Sequence, residues 1–133
     1  MLALRDGLKN GLIDCIASHH QPQDWDCKTC EFEYAKNGMT GLESLFGVAG
    51  MCGINMIDFV KMQTENIRKI FSIEIPEIKE GVKANITLFT PGIDYVFTEE
   101  HIYSKSKNNA FIGKKLTGKT IGVINGDRVF LNK

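Results

Sequence analysis

The stretch "LIDCIASHHQPQD", Leu12 to Asp24, decides how this sequence is read. Its first part, Leu12 to Ala17, is a short apolar run opened by Gly11 and closed by Ser18, which fits a strand buried on both faces, as parallel sheets contain. Two adjacent histidines, His19 and His20, follow at once, then Pro22, Gln23 and Asp24. In open α/β sheets and (β/α) barrels, the residues just past the carboxyl end of a strand face the active site. Position therefore makes the histidines candidates for chemistry; the alternative is that they cap a loop and bond to backbone groups.

Upstream, Leu2, Leu4 and Leu8 form a helical pattern that stops at Asn10 and Gly11, so the chain is expected to start inside a helix. Downstream, "GLESLFGVAGMC" from Gly41 is apolar on nearly every side and reads as a buried helix despite Gly47 and Gly50. Thr40 and Glu43 are spaced as a Thr-x-x-Glu capping box, and the backbone N–H groups of such a helix start make a ready anion cradle. Asn55 caps the next run, which carries apolar residues at Met56, Val60, Ile67 and Phe71, and Thr64 as a second cap divides that run into two helices. Beyond Pro76 the period changes. "VKANITLFTP", "DYVF" and "KTIGVINGDRVFL" alternate apolar with polar or small residues, and Asn125 to Asp127 are a hairpin signal. Residues 1–74 thus read as helices around one buried strand and residues 75–133 as a β-rich unit.

The 133 residues are about one domain's worth, and 16 basic side chains balance 16 acidic ones in short, mixed-sign neighbourhoods. That distribution offers no electrostatic footprint for nucleic acid. No apolar run approaches the length of a membrane span, and the charged opening "MLALRDGLKNG" does not suit a signal peptide. A reduced, cytoplasmic setting is expected for Cys15, Cys27, Cys30 and Cys52.

Cys27 and Cys30 are spaced as CxxC downstream of His19 and His20, so a zinc knuckle can be drawn. Adjacent histidines diverge, however, and structural zinc loops bring their ligands as two spaced pairs. The acidic stretch after Cys30 also disfavours a reactive thiolate. Two ordinary thiols in a loop are the simpler reading.

Four segments, "GLKNGLIDCIASHHQPQD", "GMTGLES", "IKEGVKANITLF" and "SKSKNNAFIGKKLTGKTIGVINGDRVF", together resemble the C-terminal third of the bacterial dihydroorotases of the amidohydrolase superfamily, in that family's order. The resemblance implies an α/β fold: the last strand and helices of a (β/α) barrel (1–74), followed by a portion of a C-terminal β-sandwich (75–133). It implies a cyclic amide hydrolase that interconverts carbamoyl-aspartate and dihydroorotate in pyrimidine synthesis. A zinc-bound hydroxide attacks the ring carbonyl there, and an aspartate at the end of the last barrel strand moves the proton.

The family's strand end reads "TDHAPH"; this sequence has "SHHQPQ". Aligned on Pro22, His19 stands at the catalytic aspartate and Gln23 at a substrate-contacting histidine, while His20 and Pro22 match. Asn37 and Gly38 fall where the family's backbone faces the substrate carboxylate. The family's HxH pair, lysine and remaining metal histidines have no counterpart in these residues, so no metal ligand is assigned and the chain alone is expected to be inactive, without a cofactor of its own and prone to self-association. Two further readings stand beside this one: a non-catalytic homologue that props up a partner transcarbamoylase, and a small zinc-binding module on Cys27 and Cys30.

Overall fold

In the computed structural model, which describes residues 2–132, helix α1 (Leu2–Lys9) ends as expected. Gly11 adopts a left-handed φ of 68°, and the Leu12 N–H returns to the Gly7 carbonyl at 2.9 Å.

The apolar run that follows is not a strand. Residues 12–17 form no ladder, Leu12 and Cys15 are exposed, and only a single parallel bridge, His20 to Met39, appears just beyond them. A doubly buried parallel strand takes its hydrogen bonds from strands on both sides, and the described residues supply neither. Two of its carbonyls are satisfied by amide side chains instead: Asn66 Nδ2 donates to Asp14 O at 2.8 Å and Gln63 Nε2 donates to Ile16 O.

Helix α2 (Leu42–Met51) forms where expected, but only one of its faces is buried. Ser44, Gly47 and Ala49 are covered, whereas Leu42 and Met51 are exposed. The glycines that weaken the helix intrinsically are what let it approach the sheet. A Cβ on Gly50 would lie 2.0 Å from Thr117 O, and one on Gly47 3.0 Å from Leu116 Cβ.

Helices α3 (Met56–Gln63) and α4 (Glu65–Ile70) divide at Thr64. Asn55 caps α3, accepting from Ile57 N at 2.9 Å and Asp58 N at 3.3 Å. Thr64 caps nothing; its hydroxyl donates back to Val60 O at 2.6 Å. The buried residues of α3 are Phe59 and Met62 rather than the expected Met56 and Val60, and Phe71 is exposed.

Three strands, β1 (Asn85–Val96), β2 (Lys115–Asn125) and β3 (Arg128–Leu131), make one antiparallel sheet in the order β1-β2-β3. The two runs before residue 97 join as a single edge strand whose register breaks twice, the second time between Thr90 and Asp94. Pro91 sits inside that break, where no ladder donor is required. Asn125 pairs with Arg128 around a two-residue turn in which Gly126 has φ 64°, the expected hairpin. Phe97, Ile102 and Leu116 form the buried cluster, flanked by Val48 of α2 and by Tyr95 and Phe111. No helix among the described residues is long and apolar enough to cross a membrane.

Candidate active-site wall

The His20–Met39 bridge, with Gln21 N donating to Met39 O at 2.9 Å, lays residues 18–21 beside residues 38–39. Around this junction lies a hollow of about 440 Å³ lined by Ser18, His19, Lys28, Gly38, Met39 and the segment 108–110. His19 is exposed there with φ 46°, a left-handed conformation few side-chain-bearing residues adopt. Gly38 has φ 116°, and a Cβ on it would lie 2.6 Å from Gln21 O, so only glycine allows the two segments to close. His19 and Gly38 therefore share one cavity. Gln23, half-buried, and Asn37, exposed, do not line it.

The capping box read from Thr40 and Glu43 does not form. Thr40 is fully buried and its hydroxyl donates to Asn108 O at 3.2 Å. Gly41 is the N-cap of α2, and the cap itself comes from His20, whose Nδ1 accepts from Gly41 N at 3.0 Å and Leu42 N at 3.3 Å. An accepting Nδ1 carries a lone pair, which places the ring proton of a neutral imidazole on Nε2. The α2 donors that could have cradled an anion are thus occupied by a side chain of this same chain.

Glu43 turns instead to the C-terminal half, its Oε1 accepting from Ser104 N at 2.9 Å and from Ser104 Oγ. Its Oε2 is buried with no partner among the described groups. Burial pushes the Glu43 carboxyl up, but hydrogen bonds from Ser104 and from backbone N–H groups, with nearby His20, outweigh it and hold the carboxyl below its ordinary value of 4.5. A carboxyl lowered by folding stabilises the folded chain above its unfolded pKa, and that contribution is lost as pH falls through the folded value. The thermal midpoint should therefore drop on acidification below about pH 4.5, more steeply in the parent than in Glu43→Gln. Equal slopes in the two chains, measured by circular dichroism, would show that Glu43 makes no such contribution.

Asparagines that the sequence reading passed over complete the wall. Asn108 Nδ2 donates to Gly38 O at 3.0 Å, and buried Asn109 donates from Nδ2 to Thr40 O at 2.7 Å and to Ser44 Oγ at 3.2 Å. Both lie in "SKSKNNAF", a stretch that carried the resemblance without being given a role. Lys28 Nζ donates to Lys36 O, closing the loop between Cys27 and Lys36.

The metal question has a plain geometric answer for this chain. Among the described residues no three His, Cys, Asp or Glu side chains are placed to hold a metal ion. Cys27 and Cys30 are free thiols, Cys30 Sγ donating to Cys27 O at 3.8 Å. His101 is held in a 3-10 turn, where its Nδ1 accepts from Thr98 N at 3.1 Å, and its ring stacks on Phe97. The described side chains therefore do not fit a metal.

The fold is shared along nearly the whole chain with solved hydantoinases, enzymes of the amidohydrolase superfamily. An L-hydantoinase (dihydropyrimidinase) from Arthrobacter aurescens superposes with a TM-score of 0.81 at 22% identity, covering 99% of this chain and 32% of that one. A D-hydantoinase (dihydropyrimidinase) from Thermus sp. gives 0.78 at 19% identity. The class of fold is thus the one these hydantoinases share, here as an α/β portion with a three-stranded antiparallel sheet.

Within that class the sequence is similar to the dihydroorotases. The chain is 37% identical over 132 residues to the dihydroorotase of Caldicellulosiruptor saccharolyticus, covering 96% of this chain and 31% of the relative. It is 31% identical over 136 residues to that of Chlorobaculum tepidum, covering 97% and 30%. No family model matches the chain. The chain spans about three tenths of the length of the curated relatives it matches, and corresponds to their C-terminal third.

Proposed function

We propose that this chain forms one wall of the active site of a dihydroorotase-like cyclic amide hydrolase, with dihydroorotate and carbamoyl-aspartate as its substrate pair. The observation that supports this best is the closure of His19 and Gly38 onto one hollow through a glycine contact that no side chain would permit. Water adds across the ring amide in the opening direction: the C–N bond breaks, the carbonyl carbon gains oxygen, and the ring nitrogen gains a proton. His19, exposed in the hollow, is the group in this chain that can take a proton from the attacking water and return one to that nitrogen. The backbone at Gly38 faces the substrate carboxylate, while Asn37 and Gln23 lie off the hollow and would contact substrate only beyond its rim. In such an enzyme a zinc ion would be held by side chains other than those described here.

In this reading residues 1–74 end a (β/α) barrel and residues 75–133 contribute to a β-sandwich. The run 12–17, which joins no ladder, and exposed apolar side chains such as Leu12, Phe32 (95% exposed) and Ile78 are surfaces that the rest of such a protein would cover. The 133-residue chain by itself should therefore self-associate, and light scattering should find species larger than 14.9 kDa; a monodisperse monomer would count against those surfaces being built for cover.

The test of activity fuses the chain behind the upstream part of the Caldicellulosiruptor saccharolyticus dihydroorotase. Dihydroorotate hydrolysis by the fusion, with none by the 133-residue chain, is the expected result. A fusion that folds, retains zinc and still turns over no dihydroorotate would favour a second reading, that of a non-catalytic assembly subunit. The histidine and glutamine at positions 19 and 23, where the resembling family has aspartate and histidine, are the observation behind that alternative.

A further inference from the structure

We infer that Asn108 is a positioning residue for the Gly38–Met39 peptide and so sets how tightly the hollow binds its ligand; this deepens the function proposed above and rests on it. The residue holds the chain on both sides of Met39. Its side-chain Nδ2 donates to Gly38 O at 3.0 Å, and its own carbonyl accepts from Thr40 N at 2.9 Å and from Thr40 Oγ1 at 3.2 Å.

A peptide unit is planar, so fixing the Gly38 carbonyl oxygen also fixes the direction of the Met39 N–H at the other end of the same plane. Met39 is also the residue bridged to His20, immediately after His19, with its own carbonyl in the next peptide plane accepting from Gln21 N at 2.9 Å. Gly38 is where such a hold has most effect. Glycine at φ 116° has no side chain to restrict it and would otherwise sample many conformations. Asn108 also lines the hollow itself, beside His19.

The neighbouring Asn109 is suited to a different task. It is buried, and its amide ties Thr40 to Ser44 while its Oδ1 accepts from Phe111 N at 2.9 Å. Asn109 anchors the start of α2 to the C-terminal half, whereas Asn108 reaches one step further, to the backbone that faces the ligand. Removing the Asn108 side chain leaves its main-chain bonds to Thr40 and the whole Asn109 cluster in place, so the fold should survive.

The experiment has two arms. In the 133-residue chain, Asn108→Ala should speed amide hydrogen exchange at Met39 and its neighbours roughly 5- to 10-fold, the scale of one lost hydrogen bond, with little change at Phe97 and Leu116. In the fusion carrying the upstream part of the relative, the same substitution should raise KM for dihydroorotate about tenfold while kcat changes less than about twofold, because a contact equal in ground and transition states is weakened. Asn108→Leu keeps the bulk and removes the N–H donor without adding charge, and should behave like the alanine variant; a side chain that merely fills space would let it behave like the parent. An active fusion whose KM ignores both substitutions, or one that loses kcat alone, would overturn the positioning role and leave the proposed function standing. A parent fusion without dihydroorotate turnover would remove both together.

Discussion

Gly50→Ala should leave the chain largely unfolded at room temperature. The added Cβ would fall 2.0 Å from the carbonyl oxygen of Thr117 and 2.9 Å from its carbon, both backbone atoms of a strand paired on either side. No rotamer change relieves such a clash, so α2 must lift from β2 along the seam that covers Leu116. Overpacking in a core costs about 1–3 kcal/mol where side chains can move, and a clash with fixed backbone lies at or beyond the upper end of that range. The fully packed hydrophobic set is small, only Ala49, Phe59, Met62, Phe97, Ile102 and Leu116 being buried among the described residues, so little margin remains to absorb the loss. Gly92→Ala is the control: nothing lies within 4 Å of its Cβ, and it should melt within a degree or two of the parent. A Gly50→Ala chain that also melts with the parent would contradict the packing of α2 described here.

The second large effect concerns chemistry. In the fusion with the upstream region, the pair His19→Asp and Gln23→His should raise dihydroorotate turnover by about 100-fold or more, the usual scale for a well-placed proton-transfer group. The backbone permits the exchange, since His19 has φ 46° and aspartate is among the residues that tolerate that region. A carboxylate there is a base over the whole neutral range and adds a negative charge, whereas an imidazole is a base only in its neutral form. If the unsubstituted fusion ran as fast as the doubly substituted one, His19 would be a fully competent base, and position 19 would not limit the reaction.

What could be read from the sequence was what neighbouring residues decide among themselves. The stop at Asn10–Gly11, the Asn55 cap and the turn at Gly126–Asp127 all follow from chemistry within a few positions, and all three are found. The run 12–17 pairs with no strand among the described residues because a buried parallel strand is a property of its neighbours, and its carbonyls here meet Gln63 and Asn66 instead. The Thr40–Glu43 box had the right spacing and lost to partners that spacing cannot reveal: His20 takes the helix cap from 21 positions upstream, and Asn108 and Ser104 take Thr40 and Glu43 from more than 60 positions downstream. The site followed the same rule. His19 and Gly38 were candidates from the motif and line one hollow, whereas the asparagines that bond the Gly38 and Thr40 carbonyls carry no local signal at all.

The solved neighbours are hydantoinases and dihydropyrimidinases, while the sequence relatives are dihydroorotases. A ring carboxylate is what sets dihydroorotate apart from the dihydropyrimidine of the same ring size. The most direct measurement is therefore the ratio of kcat/KM for dihydroorotate to that for dihydrouracil, the same ring without its carboxylate, in the fusion carrying this chain. If the Gly38 backbone faces a substrate carboxylate, dihydroorotate should be favoured by at least about 100-fold, the discrimination expected when a site built to bond a polar group is offered a ring lacking it. A ratio near one, or a preference for dihydrouracil, would contradict the account.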